Sequence, residues 1–319
     1  MGDPARQPDA RARLVAALAA LPLASVTPRD VAAWLDGVRA RTTRRGGAPA
    51  PRTVRNALNP LGRALRAAVF DGHLVADPTA VLPTELRPQS VDAHPERRRH
   101  LRLTHDEVRA LLTDPGTPAD RLVLYALLVY AGLRSGEMAA LRWGDLVPDQ
   151  PLVRLVVAEQ VHYRTREREP TKTSEVREVP VHPALARVLE GWRRAWPEHY
   201  GREPSEGDLV VPTRGEHRDR VGPARRQGNV WRELQRDLAG CDLRAHRVHD
   251  LRHTFVSLCA DAGCSADVVT RWTHAAGGGS TRALYLVASW GRQCAEMLRL
   301  PDLTVRAGVR MGDAGSIVG

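Results

Sequence analysis

Residues 131–146 read AGLRSGEMAALRWGDL, and residues 249–255 read HDLRHTF. Two shorter segments accompany them: TKTSEVREVPV at residues 171–181, and WTH at residues 272–274, with Tyr285 eleven residues after its histidine. Neither these segments nor the rest of the sequence contain a Walker loop, a dinucleotide-binding fingerprint or a Gly-x-Ser-x-Gly elbow. The candidate chemistry therefore depends on arginines, histidines and a tyrosine that are dispersed along the chain.

Each of these residues also has an ordinary structural interpretation. Arg134 could be a surface cation, and Tyr285 could pack in a core. His249 and His253 have the i, i+4 spacing of a zinc-binding pair on a helix, but an aspartate stands where the glutamate base of such a site would be. Arg252, between the two histidines, would repel a cation. We therefore expect neither a metal nor another cofactor.

The charge balance of the chain favours a polyanionic partner. Its 319 residues carry 47 Lys+Arg against 37 Asp+Glu, a net charge of +10. Lys172 is the only lysine, so the other 47 − 1 = 46 cations are arginines. A lone lysine among so many arginines indicates a position that arginine cannot replace, because an ammonium group can be tuned to give up its proton and a guanidinium cannot.

The sequence indicates a cytoplasmic protein with reduced cysteines. No run approaches the roughly 18 apolar residues of a membrane span, and the start of the chain lacks the pattern of a signal peptide. The four cysteines form no Cys-x-x-Cys pair, which argues against a disulfide framework or a zinc ribbon.

The first part of the chain, residues 1–83, is helical in its period. Thr27 and Pro28 predict a helix N-terminus, and a further helix is expected from Arg52 to Val69. The arginines on the other positions of this second helix are candidates for DNA contacts: Arg52, Arg55, Arg63 and Arg66.

Residues 84–103 are rich in proline and charge and predict a linker. Its run Arg97, Arg98 and Arg99 is either a solvated surface or a set of phosphate contacts. Residues 104–300 are expected to form a second domain, and residues 301–319 a tail.

The second domain is expected to combine helices with a small antiparallel β-sheet. Thr104 and Glu107 have the spacing of a capping box ahead of an apolar run. Residues 152–158 and 178–181 predict strands, joined by a polar turn that contains Lys172. The fold class is therefore mainly α.

In their order along the chain, the four segments closely resemble the tyrosine recombinase (phage integrase) family. The resemblance covers nearly the whole chain and implies a SAM-like helical core-binding domain that binds DNA, followed by an α+β catalytic domain. It implies that six residues are catalytic: Arg134, Lys172, His249, Arg252, His274 and Tyr285. It implies supporting parts for Glu137 and Asp145.

The chemistry of DNA strand cleavage explains these residue types. Arg134 and Arg252 would hold the non-bridging phosphate oxygens, and His274 would hydrogen-bond the same phosphate. Tyr285 would be the nucleophile that becomes joined to the 3′ phosphate, with His249 accepting its proton. The leaving 5′ oxygen needs a proton, which Lys172 can supply.

The resemblance implies a site-specific recombinase that acts on double-stranded DNA sites as a homotetramer, in the nucleoid-associated cytoplasm, with possible accessory DNA-bending or directionality proteins. Two alternatives remain at this point. One is a type IB topoisomerase-like enzyme, and the other is a non-catalytic DNA-binding relative, which the irregular stretch between His274 and Tyr285 permits.

Overall fold

The computed structural model describes residues 18, 20–43, 46–88, 102–171, 176–214, 221–273 and 288–305. The chain divides into two compact units, Met1–Pro95 and Glu96–Gly319. None of the helices within the described ranges is both long and apolar enough to cross a membrane.

Two helices pack together in the described part of the first unit: α1 (Pro28–Arg39) and α2 (Pro51–Phe70). The predicted start of α1 is confirmed, since the Thr27 backbone N–H donates to the Asp30 carboxylate at 2.8 Å. This capping box satisfies backbone donors that a helix N-terminus otherwise leaves unpaired.

The apolar faces of α1 and α2 pack together and bury Val31 and Leu35 completely. After α2 the chain returns to the same core through Leu74 and Leu82. A short 3₁₀ turn, Thr84–Leu86, follows, and the Arg39 guanidinium donates to the Leu86 carbonyl. The packed side chains share one face of each helix, as the three- and four-residue spacing requires.

The second unit contains eight helices within its described residues. They are α3 (His105–Thr113), α4 (Ala119–Tyr130), α5 (Ser135–Ala140), α6 (Pro183–Tyr200), α7 (Gln227–Gly240), α8 (Val248–Asp261), α9 (Ala266–Thr273) and α10 (Trp290–Met297). The predicted capping box at Thr104 and Glu107 is confirmed at the start of α3. Every residue of α4 from Val123 to Tyr130 is buried, so this helix is the centre of the core.

Among its described residues, the strands of the second unit form three small antiparallel sheets. Strands β1 (Leu146–Val147), β2 (Arg154–Val157) and β5 (Arg177–Pro180) make one sheet in the order β1-β2-β5. Leu155 of β2 pairs with Val179 of β5, and both are fully buried. The two predicted strands are therefore present and adjacent.

The connection between those strands contains more than the predicted polar turn, of which residues 172–175, with Lys172, lie outside the described residues. A hairpin of β3 (Glu159–Val161) and β4 (Arg168–Pro170) lies between β2 and β5. Its strands are short and polar, so they lack the apolar alternation that identifies a strand. Cross-strand polar pairs stabilise it, including Gln160 with Glu169 at 3.1 Å.

A further hairpin, β6 (Pro212–Arg214) with β7 (Val221–Ala224), precedes α7 and was not predicted. After α10 the chain runs across α4 and α6. There the Tyr130 hydroxyl donates to the Pro301 carbonyl at 3.0 Å and accepts from the Leu303 N–H at 2.7 Å. These bonds attach residues 301–303 to the core of the unit.

Candidate active site

The site begins at the corner between α4 and α5. Gly132 has a φ of +58°, and a Cβ at this position would lie 2.3 Å from the Phe255 ring of α8. Only glycine fits, because the backbone conformation is left-handed and the space is taken. The corner turns the chain so that Arg134 stands immediately before α5.

Arg134 and Glu137 form a reciprocal pair at the start of α5. The Arg134 N–H donates to Glu137 Oε2 at 2.7 Å, and Arg134 Nη1 donates to Glu137 Oε1 at 2.8 Å. The carboxylate side chain is 1% exposed, whereas the arginine side chain is 38% exposed. The pair therefore has a buried anchor and a cation that faces solvent.

A second arginine holds the same carboxylate from the opposite side. Arg177, the first residue of β5, donates from Nη1 to Glu137 Oε1 at 2.8 Å and from Nη2 to Oε2 at 2.5 Å. Burial alone would raise the pKa of Glu137, but the hydrogen bonds and charge of Arg177, together with the bonds from Arg134, lower it to about 2. The carboxylate is therefore ionised at neutral pH.

Sequence reasoning did not assign Arg177. It lies within the quoted segment of residues 171–181, but its partner Glu137 is forty residues away in the chain. The available signal was the spacing of Arg177 and Val179. Residues two positions apart in a strand point to the same face of the sheet, and Val179 is buried. A charged residue on the buried face of a strand needs a buried partner.

Helix α8 carries the second arginine of the predicted set. Arg252 is 5% exposed, and its two terminal nitrogens donate to the carbonyl oxygens of Gly132 and Thr273. Burial and then the nearby positive charge of Arg134 lower the pKa of Arg252 to about 10. It is therefore still a cation at neutral pH, and it joins the α4–α5 corner to the end of α9.

His249 lies one turn before Arg252 on α8 and keeps contact with solvent. Partial desolvation lowers the pKa of His249, and the positive charges of His253 and Arg252 lower it further. The His249 and His253 rings are 4.7 Å apart, edge to face. A lowered pKa leaves the imidazole neutral near pH 7, which is the form that accepts a proton. In the part of the chain that the structure describes, no three His, Cys, Asp or Glu side chains cluster as a metal site.

The end of α9 is tied to the same group of residues. The Trp272 carbonyl accepts from Arg177 Nε at 2.8 Å. The Trp272 indole N–H donates to the Gln293 side chain of α10 at 3.1 Å, and Gln293 in turn donates to the Ala288 carbonyl at 3.0 Å. Residues 273 and 288 are thus both held by one buried network.

Several predicted site residues lie outside the described residues: Lys172, His274, Tyr285, Arg97, Arg98 and Arg99. Residues 274–287, which include His274 and Tyr285, join the two chain ends that the network holds. Asp145 accepts from the Arg142 N–H at 2.8 Å at a 3₁₀ turn, and it lines one small cavity together with Glu137.

The four arginines of α2 differ in their surroundings. Arg52, Arg63 and Arg66 are exposed, whereas Arg55 is partly buried and donates to the Pro88 carbonyl at 2.9 Å. Arg66 also lies 3.6 Å from the Asp77 carboxylate. These contacts belong to the first unit alone.

Helix α7 carries an exposed face that sequence reasoning did not single out. Trp231 is 49% exposed, and Arg232 and Arg236 are exposed next to it. Arg232 donates to the Asn229 side chain at 2.7 Å, and among the described residues neither arginine pairs with a carboxylate. The period of α7 could have revealed this face, since its buried residues Val230, Leu234 and Leu238 repeat every four positions.

Residues 101–278, more than half of the chain, match the model of the phage integrase family. No curated protein sequence matches this chain. Among solved structures, a Tn1549 transposon integrase in complex with transposon right end DNA is similar, with a TM-score of 0.62 and 20% identity. That alignment covers 91% of this chain and 92% of the other, which comprises residues 82–397 of the transposon integrase.

A lambda integrase dimer bound to a COC′ core site is similar as well. Its TM-score is 0.55 at 17% identity, and the alignment covers 88% of each chain. At such identities the likeness is one of fold, and it extends over both units of the chain.

Proposed function

This chain belongs to the phage integrase family and is a site-specific DNA recombinase, and from that premise we propose that it cleaves and rejoins DNA through Tyr285. The observation that carries the assignment is the buried network around Glu137. It ties Arg134 and Arg252 to the two ends of residues 274–287, where His274 and Tyr285 are.

In the proposed reaction, the Tyr285 hydroxyl attacks the scissile phosphorus and the bond from phosphorus to the 5′ oxygen breaks. His249 accepts the tyrosine proton, and Lys172 gives a proton to the leaving 5′ oxygen. The product is a 3′-phosphotyrosyl ester and a free 5′ hydroxyl. The same steps in reverse, with a 5′ hydroxyl from another strand, rejoin the DNA.

Two guanidinium groups stabilise the charge that develops on the phosphate during this step. Within the described residues, Arg252 uses two of its five N–H donors on the Gly132 and Thr273 carbonyls, which leaves three for other partners. Arg134 is partly exposed and also has donors left beyond its bonds to Glu137. His274 adds one hydrogen bond to the same phosphate. Fixed donors of this kind typically contribute on the order of a hundredfold each to a rate.

Duplex DNA is held by cations of both units in this proposal. The first unit, with the linker of residues 84–103, supplies Arg52, Arg55, Arg63, Arg66, Arg97, Arg98 and Arg99. The second unit supplies the exposed face of α7, where the Trp231 ring adds an apolar contact beside Arg232 and Arg236. Phosphate contacts of this kind fix the register of a protein on DNA.

Recombination joins two duplexes, which in this proposal requires four copies of the chain, one for each strand cleaved. The active form is therefore a homotetramer on DNA in the nucleoid, with accessory DNA-bending or directionality proteins as further partners. Within each copy, residues 1–83 bind the core site, residues 84–103 link the units, and residues 104–300 perform the reaction, followed by a tail of residues 301–319.

The test uses a pool of nicked duplexes of randomised sequence, in which cleavage releases a short fragment that diffuses away. We expect the protein to form a covalent DNA adduct that resists denaturation and that disappears in Tyr285→Phe. Tyr163→Phe is the matched control, because Tyr163 is an exposed tyrosine in the hairpin between β3 and β4. No adduct with wild type, or an adduct that survives Tyr285→Phe, would contradict the proposal.

A second assay addresses the tetramer. Two duplexes of the site recovered from the adduct, labelled differently, should exchange strands and give a four-way junction. Relaxation of a supercoiled plasmid without exchange between molecules would instead indicate a monomeric topoisomerase activity and overturn the tetramer.

A further inference from the structure

We propose that Arg177 acts as a positioning residue: by occupying both oxygens of Glu137, it keeps Arg134 available for the scissile phosphate. This inference rests on the proposed function, in which Arg134 binds that phosphate.

The contacts of Arg177 use all three nitrogens of its guanidinium. Nη1 and Nη2 bind the two oxygens of Glu137, and Nε binds the Trp272 carbonyl. The Arg177 side chain is 3% exposed and the Glu137 side chain 1%. A planar guanidinium matches a carboxylate in this bidentate way, and a lysine ammonium group does not.

The competition for Glu137 explains why such a residue is needed. Arg134 gives the carboxylate one side-chain hydrogen bond, from Nη1 to Oε1, while the Arg177 fork faces both oxygens. A buried carboxylate demands full compensation of its charge. Without Arg177, the remaining cation in contact with it among the described residues is Arg134, which would turn its own fork onto Glu137.

Such a turn would withdraw from the phosphate the group that the reaction needs. The Arg134 side chain is 38% exposed, so it has room to move, and its charge would be neutralised by Glu137 instead of by DNA. The expected loss is therefore specific: the enzyme still binds DNA, but it no longer compensates the charge of the scissile phosphate.

The position of Arg177 in the chain supports the same role. It lies five residues after Lys172, at the first position of β5, and its bond to Trp272 lies two residues before His274. One buried side chain thus joins the start of a strand, the start of α5 and the end of α9. Strand β5 follows Lys172 in the chain, α5 follows Arg134, and α9 precedes His274.

The experiment compares Arg177→Met with wild type on the nicked duplex recovered from the adduct pool. One duplex carries a normal scissile phosphate, and a second carries a neutral methylphosphonate at that position. We expect Arg177→Met to slow cleavage of the phosphate on the order of a hundredfold, the cost of losing one such donor, with DNA affinity within about twofold of wild type. On the methylphosphonate, which has no charge to neutralise, the difference should shrink to within about threefold.

Two further variants make the result decisive. Arg225→Met is the matched control, since Arg225 is a buried arginine paired with Asp120 and Glu233 away from Glu137; its effect should be equal on the two substrates. Arg177→Lys keeps the charge without the fork, and it should show the same substrate dependence as Arg177→Met with a smaller loss. If Arg177→Met does not fold, Arg177→Lys alone decides.

An equal loss on the phosphate and on the methylphosphonate, or no loss on either, would overturn the positioning role. Either result leaves the proposed function intact, because wild type still forms its adduct. Failure of wild type to form any adduct would instead contradict the proposed function itself.

Discussion

A single buried carboxylate, Glu137, accepts hydrogen bonds from two arginines, Arg134 and Arg177, in the second unit. Its pKa of about 2 in the folded protein compares with an ordinary value of 4.5. A depressed pKa contributes stability above the unfolded value, and that contribution is lost as the pH falls from about 4.5 toward 2. The difference corresponds to about 3 kcal/mol for a group this buried.

We therefore expect Glu137→Gln to lower the free energy of unfolding at pH 7 by about 3 kcal/mol. The gap between wild type and variant should narrow as the pH falls below 4.5. Urea unfolding followed by tryptophan fluorescence measures it, because six of the seven tryptophans belong to the second unit. A gap that stays constant down to pH 2 would contradict this assignment.

His249 stands beside a second histidine, His253, on α8. Its pKa is below the ordinary 6.5, and the positive charge of His253 is one cause. Removing that charge should raise the pKa of His249. As the pH is lowered, His253→Gln should therefore lose cleavage activity at a higher pH than wild type does. Single-turnover cleavage between about pH 5 and pH 8 measures this shift.

His105→Gln, which removes an exposed histidine at the start of α3, is the control and should leave the profile unchanged. If the loss of cleavage rate at low pH occurs at the same pH in His253→Gln as in wild type, the titration of His249 does not control that rate.

At the scale of elements, the α4–α5 corner packs against α8 with no spare space. Gly132→Ala would place a methyl group 2.3 Å from the Phe255 ring in a left-handed conformation. We expect a loss of about 2 kcal/mol or more in the free energy of unfolding. Cleavage should fall as well, because the Gly132 carbonyl accepts a hydrogen bond from Arg252.

Gly191→Ala makes the matched comparison for this change. Gly191 lies inside α6, and a Cβ there would meet nothing within 4 Å. Helix propensity then favours alanine, so the variant should be as stable as wild type or more stable by up to about 1 kcal/mol. Equal effects of the two substitutions would show that the corner is not closely packed.

The sequence predicted the elements that depend on local signals. The capping residues Thr27 and Thr104 mark the starts of α1 and α3, and the β-branched run of residues 152–158 contains β2. It did not predict the hairpin of β3 and β4, whose stability comes from polar pairs across strands. The part of Arg177 was also not predicted, because the need for a buried arginine appears only when the fold brings Glu137 and Arg177 together.

The arginines behind the net charge of +10 differ in whether a carboxylate pairs with them. Many arginines are occupied by carboxylates, such as Arg202, which binds both oxygens of Asp208 at 2.6 Å. Those on the exposed face of α7 are not paired with carboxylates among the described residues. Arginines without a carboxylate partner can exchange their counterions for DNA phosphates.

We expect Arg232→Ala to reduce the slope of log affinity against log salt by about one unit. Trp231→Ala should weaken binding without changing that slope, because its ring carries no charge. Arg202→Ala is the control and should change neither quantity. Binding titrations of duplex DNA at several salt concentrations measure all three, and an unchanged slope in Arg232→Ala would remove α7 from the DNA interface.

In the proposed reaction, Tyr285 is the residue that becomes joined to DNA. Protease digestion of the trapped adduct, followed by mass spectrometry, identifies the peptide that carries the nucleotide. We expect a 3′-phosphotyrosyl bond on the peptide that contains Tyr285. A nucleotide on any of the other four tyrosines, or on a residue of another type, would contradict it.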